Sequence, residues 1–279
     1  MDVPMRLQVR CQGEGLRLLC LHGHPGNSQA LSVFTDRLSQ RFRTLTPDLR
    51  GYGQSRTHHP FEMSDHLKDL EALIAAETDS PYWILGWSLG GILALELALR
   101  QPNQVAGLIL VATAARPRGN HPPISWQDNL YTVLASVINR LVPGWGWNID
   151  VLGRRSLYRH LIQQHSADAY RRLAAEGWPA YFQTSKFATQ ALNQALRQGY
   201  NRLPDLAQVT QPALVLCGEC DRHITAASSQ ETAAHLPNST LKTYPQVAHL
   251  FPWEIPDQVL TDIDSWLKTV AASRSQHQK

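Results

Sequence analysis

The amino-acid sequence predicts an α/β fold in which a mostly parallel sheet of about seven strands is covered by helices on both faces. The first observation is that short apolar segments alternate with helix-like segments along the chain, a pattern typical of parallel sheets. The second is that segments such as YWILGW (82–87) are apolar throughout, as strands buried on both faces are. The third is that one interval, 116–203, breaks the alternation and contains only helix-like segments.

Each predicted element has a local reason. The segment 89–101, LGGILALELALRQ, is rich in Leu and Ala and stops before Pro102, as a mostly buried helix does. Strands are predicted at 16–23, 42–48, 82–87, 105–115, 213–219 and 239–245. Helices are predicted at about 28–41, 64–78, 89–101, 228–236 and 256–271.

The interval 116–203 is predicted to form a helical cap. It follows the end of one predicted strand and precedes another, so it should cover the carboxyl edge of the sheet. We therefore expect a core made of residues 1–115 and 204–279, with the cap of residues 116–203 inserted in it.

Bulk composition excludes several classes of protein. The chain has 279 residues, of which 43% are hydrophobic and 18% charged, as in a folded soluble protein. No run of about 18 apolar residues is present, so no membrane-spanning helix is expected. The first 15 residues, MDVPMRLQVRCQGEG, contain no apolar region after their charges, so we expect no secretory signal and a cytoplasmic location. Four cysteines are too few for a disulfide framework.

Ser88 lies where the predicted strand 82–87 gives way to the predicted helix 89–101. Gly86 and Gly90 flank it at two residues on either side, which forms the pattern G-x-S-x-G. The pattern indicates a strained turn that presents the serine Oγ at the top of a sheet, with the positive end of a helix behind it. Five residues match by chance in many chains, so the surrounding sequence has to decide.

An acid and a histidine follow two later strands. Active sites of open parallel sheets lie beyond the carboxyl ends of the strands. Asp221 follows the strand 213–219, and His249 follows the strand 239–245. An imidazole suits the task of taking the serine proton, and a carboxylate fixes the tautomer of that imidazole. Ser88, His249 and Asp221 are therefore the predicted catalytic residues.

With these residues the chain resembles α/β-hydrolase fold enzymes, in the group that has an H-G-x-P or H-G-x-G loop and a helical cap. The resemblance covers nearly the whole chain. Its motifs are His22-Gly23-His24-Pro25-Gly26, DLRGYGQS (48–55), Gly86-Trp87-Ser88-Leu89-Gly90-Gly91, Gly218-Glu219-Cys220-Asp221 and Ala248-His249.

The resemblance implies a role for each site residue. Ser88 would be the nucleophile, Asp221 the orienting acid and His249 the base, while the backbone N–H groups of His24 and Leu89 would form the oxyanion hole. Only MRLQVRC (5–11) precedes the first core strand, where relatives often have a longer hairpin, so we expect seven strands rather than eight.

Two rival assignments have little support in the sequence. Some relatives take the acid from the end of the earlier strand, but Thr113-Ala114-Ala115 offers no carboxylate there. His22 and His24 form an H-x-H pair, but no second cluster completes a metal site, so we expect no metal and assign His22 a structural role.

A serine nucleophile indicates acyl transfer through an acyl-enzyme. We expect hydrolysis of a carboxylic ester, or a thioester, of a small or acyl-chain substrate. One alternative is a lyase or C–C bond hydrolase that acts on an anionic metabolite with the same triad. The other is a ligand sensor without turnover, against which the complete triad argues. The chain contains no nucleotide-binding glycine loop and no nucleic-acid motif, so neither a cofactor nor a nucleic-acid partner is expected.

The predicted cap is basic and rich in tryptophan. Residues 116–203 contain 11 Lys or Arg against four Asp or Glu, a formal charge of +7, and four of the chain's eight tryptophans. Solvated helix faces and ordinary packing account for such a composition. The sharper hypothesis is an apolar pocket with a cationic rim that selects an acyl chain with an anionic end, or a cap that rests on an acidic lipid surface. The candidate pocket residues are Trp87, Trp126, Trp145, Trp147 and Phe251.

Overall fold

A seven-stranded sheet forms the centre of the protein in the computed structural model, which describes residues 4–77 and 80–277. The predicted number of strands is confirmed. The strands are β1 (Val9–Gln12), β2 (Leu16–Leu21), β3 (Phe42–Pro47), β4 (Tyr82–Trp87), β5 (Val105–Val111), β6 (Ala213–Gly218) and β7 (Ser239–Tyr244).

The sheet has the strand order β1-β3-β2-β4-β5-β6-β7. Strands β2 to β7 pair in parallel, whereas β1 pairs antiparallel with β3, from Val9 opposite Pro47 to Gln12 opposite Thr44. The carboxyl ends of β2, β4, β6 and β7 therefore meet at one edge, which brings the segments that follow them together.

Helices connect the strands and form the interval between β5 and β6. Their bounds are α1 (Ser32–Leu38), α2 (Met63–Glu77), α3 (Leu89–Arg100), α4 (Trp126–Leu141), α5 (Gly146–Val151), α6 (Ala167–Arg172), α7 (Trp178–Phe182), α8 (Lys186–Arg197), α9 (Ala226–His235), α10 (Phe251–Glu254) and α11 (Pro256–His277). Two 3-10 turns of the inserted interval, Gly153–Arg155 and Leu157–His160, lie against α4.

Helices cover both faces of the sheet, as predicted. Side chains alternate along β2, so that Leu18 and Cys20 point into one apolar cluster and Leu19 and Leu21 into another. The first cluster is completed by side chains of α1 and α11, and the second by side chains of α2, α3 and α9. This packing holds β4, the strand before Ser88, fully buried.

Strand β5 is shorter than the sequence predicts. The predicted strand ran from 105 to 115, but β5 ends at Val111 and Ala112 has a φ of 46°. Residues 112–115 are all buried, which is why they look like a continuation of the strand. The positive φ turns the chain out of the sheet beside the end of β4.

The inserted interval 116–203 contains no strand among the described residues, and it contacts loops that follow the strands. The Ser185 N–H donates to the Gly51 carbonyl after β3, and the Leu250 N–H after β7 donates to the Leu161 carbonyl, both at 2.8 Å. These hydrogen bonds join the interval to the carboxyl edge of the sheet. Its separation from the core as a cap domain stays a prediction.

The described part of the chain has no helix with the length and apolar character needed to cross a bilayer.

Candidate active site

Ser88 occupies a strained turn between β4 and α3. Its backbone has φ 54° and ψ −113°, a conformation that non-glycine residues rarely adopt. Two hydrogen bonds of 2.8 Å hold the turn: the Ser88 N–H donates to the Val111 carbonyl, and the Thr113 hydroxyl donates to the Ser88 carbonyl. The end of β5 therefore supports the serine.

The flanking glycines are required by close backbone approach. A Cβ on Gly86 would overlap the carbonyl of Gly90, and a Cβ on Gly90 would overlap the carbonyl of Leu21 in β2. The start of α3 thus packs directly against the sheet. Any residue with a Cβ at these two positions would prevent this close approach.

The structure brings Ser88, His249 and Asp221 into one hydrogen-bonded line. The Nε2 of His249 lies 3.2 Å from the Oγ of Ser88, and its Nδ1 lies 2.8 Å from the Oδ2 of Asp221. Because a carboxylate only accepts, Nδ1 carries the proton and Nε2 is left to accept the serine proton. All three residues are at least 94% buried.

Asp221 is itself held in place by the backbone. Its Oδ1 accepts hydrogen bonds from the N–H groups of His223 and Ile224, at 2.8 and 3.0 Å. The other oxygen remains for His249. These hydrogen bonds fix the orientation of the carboxylate, and its remaining hydrogen bond to Nδ1 fixes the orientation of the His249 imidazole.

Glu254 is a residue of the site that the sequence analysis missed. Its Oε1 accepts the Ala248 N–H at 2.9 Å, directly before His249, and its Oε2 accepts the N–H groups of Gln163 and Gln164 from the inserted interval. Burial raises the pKa of Glu254. No motif indicates this role, because two of the three partners, the N–H groups of Gln163 and Gln164, lie 91 and 90 residues before Glu254 in the sequence.

The predicted oxyanion residues are Leu89, directly after Ser88, and His24, in the loop after β2. Leu89 is the first residue of α3, where backbone N–H groups have no partner within the helix. His24 follows β2 in a loop that contacts the serine, since a Cβ on Gly23 would lie 3.2 Å from the Cβ of Ser88. The peptide bond between His24 and Pro25 is cis.

Buried side chains fix the loop that contains His24. The Nε2 of His22 accepts the Leu49 N–H at 3.1 Å, while its Nδ1 lies 2.8 Å from the Gly23 carbonyl. The Nδ1 of His24 pairs with the Tyr52 hydroxyl at 2.9 Å. Burial lowers the pKa of His22, and burial together with His22 lowers the pKa of His24 to about 4. Both rings are therefore neutral at pH 7 and serve as hydrogen-bonding supports.

His223 is a second neighbour that the sequence did not indicate. Its ring meets that of His249 edge to face, with centroids 4.7 Å apart. Burial, and then the proximity of His249, lowers the pKa of His223 to about 3. A neutral ring thus lies against the imidazole of His249, on a residue that is itself exposed to solvent.

The five candidate pocket residues divide into two groups. Trp87 and Phe251 are buried in the core, where Trp87 packs against Phe34 and Trp253, and Phe251 packs against Tyr244. The other three lie on the inserted interval with exposed rings, Trp126 at 72%, Trp145 at 46% and Trp147 at 50%. The described contacts of these three rings do not include the serine. A pocket lined by the five residues stays a prediction.

The described residues contain no group of His, Cys, Asp or Glu arranged to hold a metal ion. The site is built from a hydroxyl, an imidazole, a carboxylate and backbone N–H groups.

Comparison with known families identifies the family of the chain. A family model described as serine aminopeptidase, S33, matches residues 16–255. The chain belongs to this family of α/β-hydrolases. The match spans every strand from β2 to β7 and all three residues of the hydrogen-bonded line.

Relatives and structures are similar over most of the chain. A pimeloyl-[acyl-carrier protein] methyl ester esterase of Nitrosomonas europaea is 29% identical over 266 residues, 93% of this chain and 98% of the relative. The enzyme of the same name from Xanthomonas oryzae pv. oryzae is 31% identical over 245 residues, 83% of this chain and 87% of the relative. The structure of Est816, an N-acyl homoserine lactone degrading enzyme, has a TM-score of 0.73 at 21% identity and covers 93% of this chain and 96% of its own.

These likenesses confirm the predicted fold and the predicted class, a carboxylic ester hydrolase of the α/β-hydrolase superfamily.

Proposed function

We propose that this chain hydrolyses carboxylic esters through an acyl-enzyme formed on Ser88. The observation that carries the proposal is the hydrogen-bonded line from Ser88 through His249 to Asp221, which begins at a strained turn after β4. Membership of a serine hydrolase family supports the same chemistry.

The first half of the reaction acylates the serine. The Ser88 oxygen attacks the ester carbonyl carbon while its proton passes to the Nε2 of His249, and Asp221 stabilises the imidazolium that forms. The tetrahedral intermediate then breaks its bond to the alcohol oxygen, which takes the proton from Nε2. An alcohol leaves and an acyl ester of Ser88 remains.

The second half repeats the proton transfers with water. The Nε2 of His249 takes a proton from a water molecule as the water oxygen attacks the acyl carbon. The bond to Ser88 then breaks, the serine oxygen recovers the proton and the carboxylic acid is released.

The oxyanion of each intermediate would be bound by the N–H groups of Leu89 and His24. The start of α3 adds the positive end of its dipole at the same place. In such sites a single donor contributes about 3 to 4 kcal/mol of transition-state stabilisation.

We further propose that the substrate is a methyl ester at the far end of an acyl chain attached to an acyl carrier protein. The relatives of Nitrosomonas europaea and Xanthomonas oryzae pv. oryzae are named as methyl ester esterases of a pimeloyl-[acyl-carrier protein], and they align over most of this chain. The formal charge of +7 in residues 116–203 would attract a substrate whose acyl chain is attached to an anionic group. The other use of that charge, contact with a lipid surface, is a separate proposal.

A labelling and turnover experiment tests the reaction class. A fluorophosphonate probe should label Ser88, and p-nitrophenyl esters should be hydrolysed with a burst of one p-nitrophenol per active chain. Labelling without any turnover across an ester panel would favour a ligand sensor. Cleavage of a C–C bond without ester hydrolysis would favour the alternative lyase or C–C hydrolase chemistry.

A matched substrate pair tests the acyl carrier. The same monomethyl ester chain is presented as a thioester of an acyl carrier protein and as a thioester of a small thiol, and methanol release is measured. We expect a higher kcat/KM for the carrier-bound ester. Equal kcat/KM values would contradict the proposed acyl carrier but not the proposed ester hydrolysis. Release of the thiol instead of methanol would show that the enzyme is a thioesterase.

A further inference from the structure

Helix α4 presents its apolar face to solvent and its polar face to the interior of the protein, the reverse of the usual arrangement. The six large apolar side chains on its outer face are all exposed to solvent: Trp126, Leu130, Val133, Leu134, Val137 and Leu141, with exposed fractions of 42 to 76%. They recur at the three- and four-residue spacing of one helix face. Its inner face carries Asp128 and Asn139, which are buried.

Hydrogen bonds fix this orientation. Asp128 caps the helix in a reciprocal pair with Ser125 and forms an ion pair of 2.6 Å with Arg159. The Asn139 side chain donates to the Tyr170 carbonyl at 2.6 Å and accepts the Gly144 N–H at 2.9 Å. Rotating α4 to bury its apolar face would leave these polar groups without their hydrogen-bond partners. The apolar face is therefore held towards the solvent.

The exposed face continues beyond the end of α4. Val142 is 50% exposed, and the rings of Trp145 and Trp147 lie 5.1 Å apart, each about half exposed. Monomeric soluble proteins rarely expose contiguous apolar patches of more than a few hundred Å². A patch with this many large apolar side chains indicates an occupant.

The charges around this face select the kind of occupant. The outer face of α4 includes no acidic residue, and Arg140 lies at its edge, exposed and without a described ion pair. The exposed Asp150, one turn after Trp147, is paired with Arg154. A stripe of Trp, Leu and Val flanked by arginine, within an interval of charge +7, is complementary to a bilayer with anionic headgroups.

We propose that the outer face of α4, with Trp145 and Trp147, is a docking surface for anionic phospholipid membranes. The apolar side chains would enter the boundary between headgroups and acyl chains, the tryptophan rings would lie at the level of the headgroups, and Arg140 would contact lipid phosphates. The helix would lie in the plane of the interface and would not span it.

Co-sedimentation with vesicles tests this surface. The full chain is mixed with vesicles of phosphatidylcholine alone or with a third phosphatidylglycerol. We expect binding to the anionic vesicles that weakens as salt rises, with a blue shift of tryptophan fluorescence. Binding that is absent, or equal on both kinds of vesicle, overturns the proposal.

Matched variants separate the apolar and the cationic contributions. Val137→Glu places a charge within the apolar face, whereas Gln190→Glu adds the same charge to an exposed position of α8. We expect Val137→Glu to weaken vesicle binding at least tenfold and Gln190→Glu to change it little. Arg140→Glu should weaken binding to anionic vesicles more than Arg197→Glu in α8. Equal effects within either pair contradict the proposed surface.

The other occupants have distinct outcomes. A wild-type dimer in sedimentation velocity that Val137→Glu dissociates would assign the face to a second copy of the chain. Binding of an acyl carrier protein that Val137→Glu abolishes, without vesicle binding, would assign it to that partner. The vesicle assay involves no turnover, so its result does not depend on the proposed ester hydrolysis.

Discussion

The carboxylate of Glu254 accepts a hydrogen bond from the backbone N–H of Ala248, the residue before His249. The same carboxylate binds the N–H groups of Gln163 and Gln164, so one buried side chain fixes the histidine loop and the inserted interval relative to each other. The position of His249 therefore depends on a residue that takes no part in the chemistry.

Replacement of Glu254 by glutamine should lower kcat. Since all three partners of Glu254 are N–H donors, the amide would turn its own N–H₂ group towards one of them. Loss of a buried charged hydrogen bond costs about 1 to 3 kcal/mol, and about 1.4 kcal/mol in the transition state is tenfold in rate. We expect kcat to fall about tenfold with little change in KM. Asp257→Asn, at an exposed position of α11, is the control, and an unchanged kcat for Glu254→Gln would refute the positioning role.

Ser88→Ala and His249→Ala should each lower kcat for p-nitrophenyl esters by several orders of magnitude, because the two groups act as a unit. Circular dichroism and thermal unfolding should show that both variants remain folded. The double variant should be no slower than the worse of the two. A Ser88→Ala protein that keeps most of its esterase activity would exclude this serine as the nucleophile.

Thr113 provides a test of the strained turn. Thr113→Val keeps the shape of the side chain but removes the hydroxyl that donates to the Ser88 carbonyl. A hydrogen bond of this kind contributes about 1 kcal/mol, so we expect lower stability by that amount and a severalfold loss of kcat. Thr113→Ser keeps the hydroxyl and should recover most of the activity. Full activity in the valine variant together with a loss in the serine variant would mean that the methyl group matters and the hydrogen bond does not.

Salt should discriminate between substrates if the basic interval steers an anionic group. The kcat/KM for an anionic ester should fall steeply as salt rises, while a neutral ester of equal chain length should respond little. Charge reversal of Arg154 and Arg155 to glutamate should remove the difference without changing turnover of the neutral ester. The same salt response for both esters would show that these arginines are solvated surface residues that do not steer the substrate.

Stability should fall as the pH is lowered from about 6.5, in part because of His66. Burial lowers the pKa of His66 to about 3, and neither ring nitrogen has a hydrogen-bond partner among the described residues. Near pH 6.5 the unfolded chain binds a proton at His66 that the folded chain does not bind. The contribution of His66 to the free energy of unfolding is therefore complete above that pH and is lost as the pH falls towards 3.

The variant His66→Phe should reduce this pH dependence. Urea unfolding at several pH values between 7 and 4.5 measures it, and the slope should fall by up to about 1.4 kcal/mol per pH unit, the value for one proton. Above pH 7 the slopes of the two proteins should coincide. Identical slopes below pH 6 would show that His66 takes up its proton in the folded state as well.

The sequence by itself determined six of the seven strands, the turn at Ser88 and the three residues of the hydrogen-bonded line. These features depend on local patterns: apolar segments of strand length, glycines two residues either side of a serine, and an acid and a histidine directly after strands. Because the carboxyl ends of parallel strands meet at one edge, positions along the chain were enough to place the three side chains together.

Only the tertiary structure decided which groups support that line and which face of α4 meets solvent. Thr113 and His223 contact a backbone group and a ring at least 25 residues away, and Glu254 joins Ala248 to backbone groups about 90 residues earlier, so no local pattern indicates them. Periodicity shows that α4 has an apolar face, and the usual rule would turn that face inward. Its polar side chains instead find partners such as the Tyr170 carbonyl, 31 residues from Asn139, and satisfying those buried groups holds the apolar side chains out.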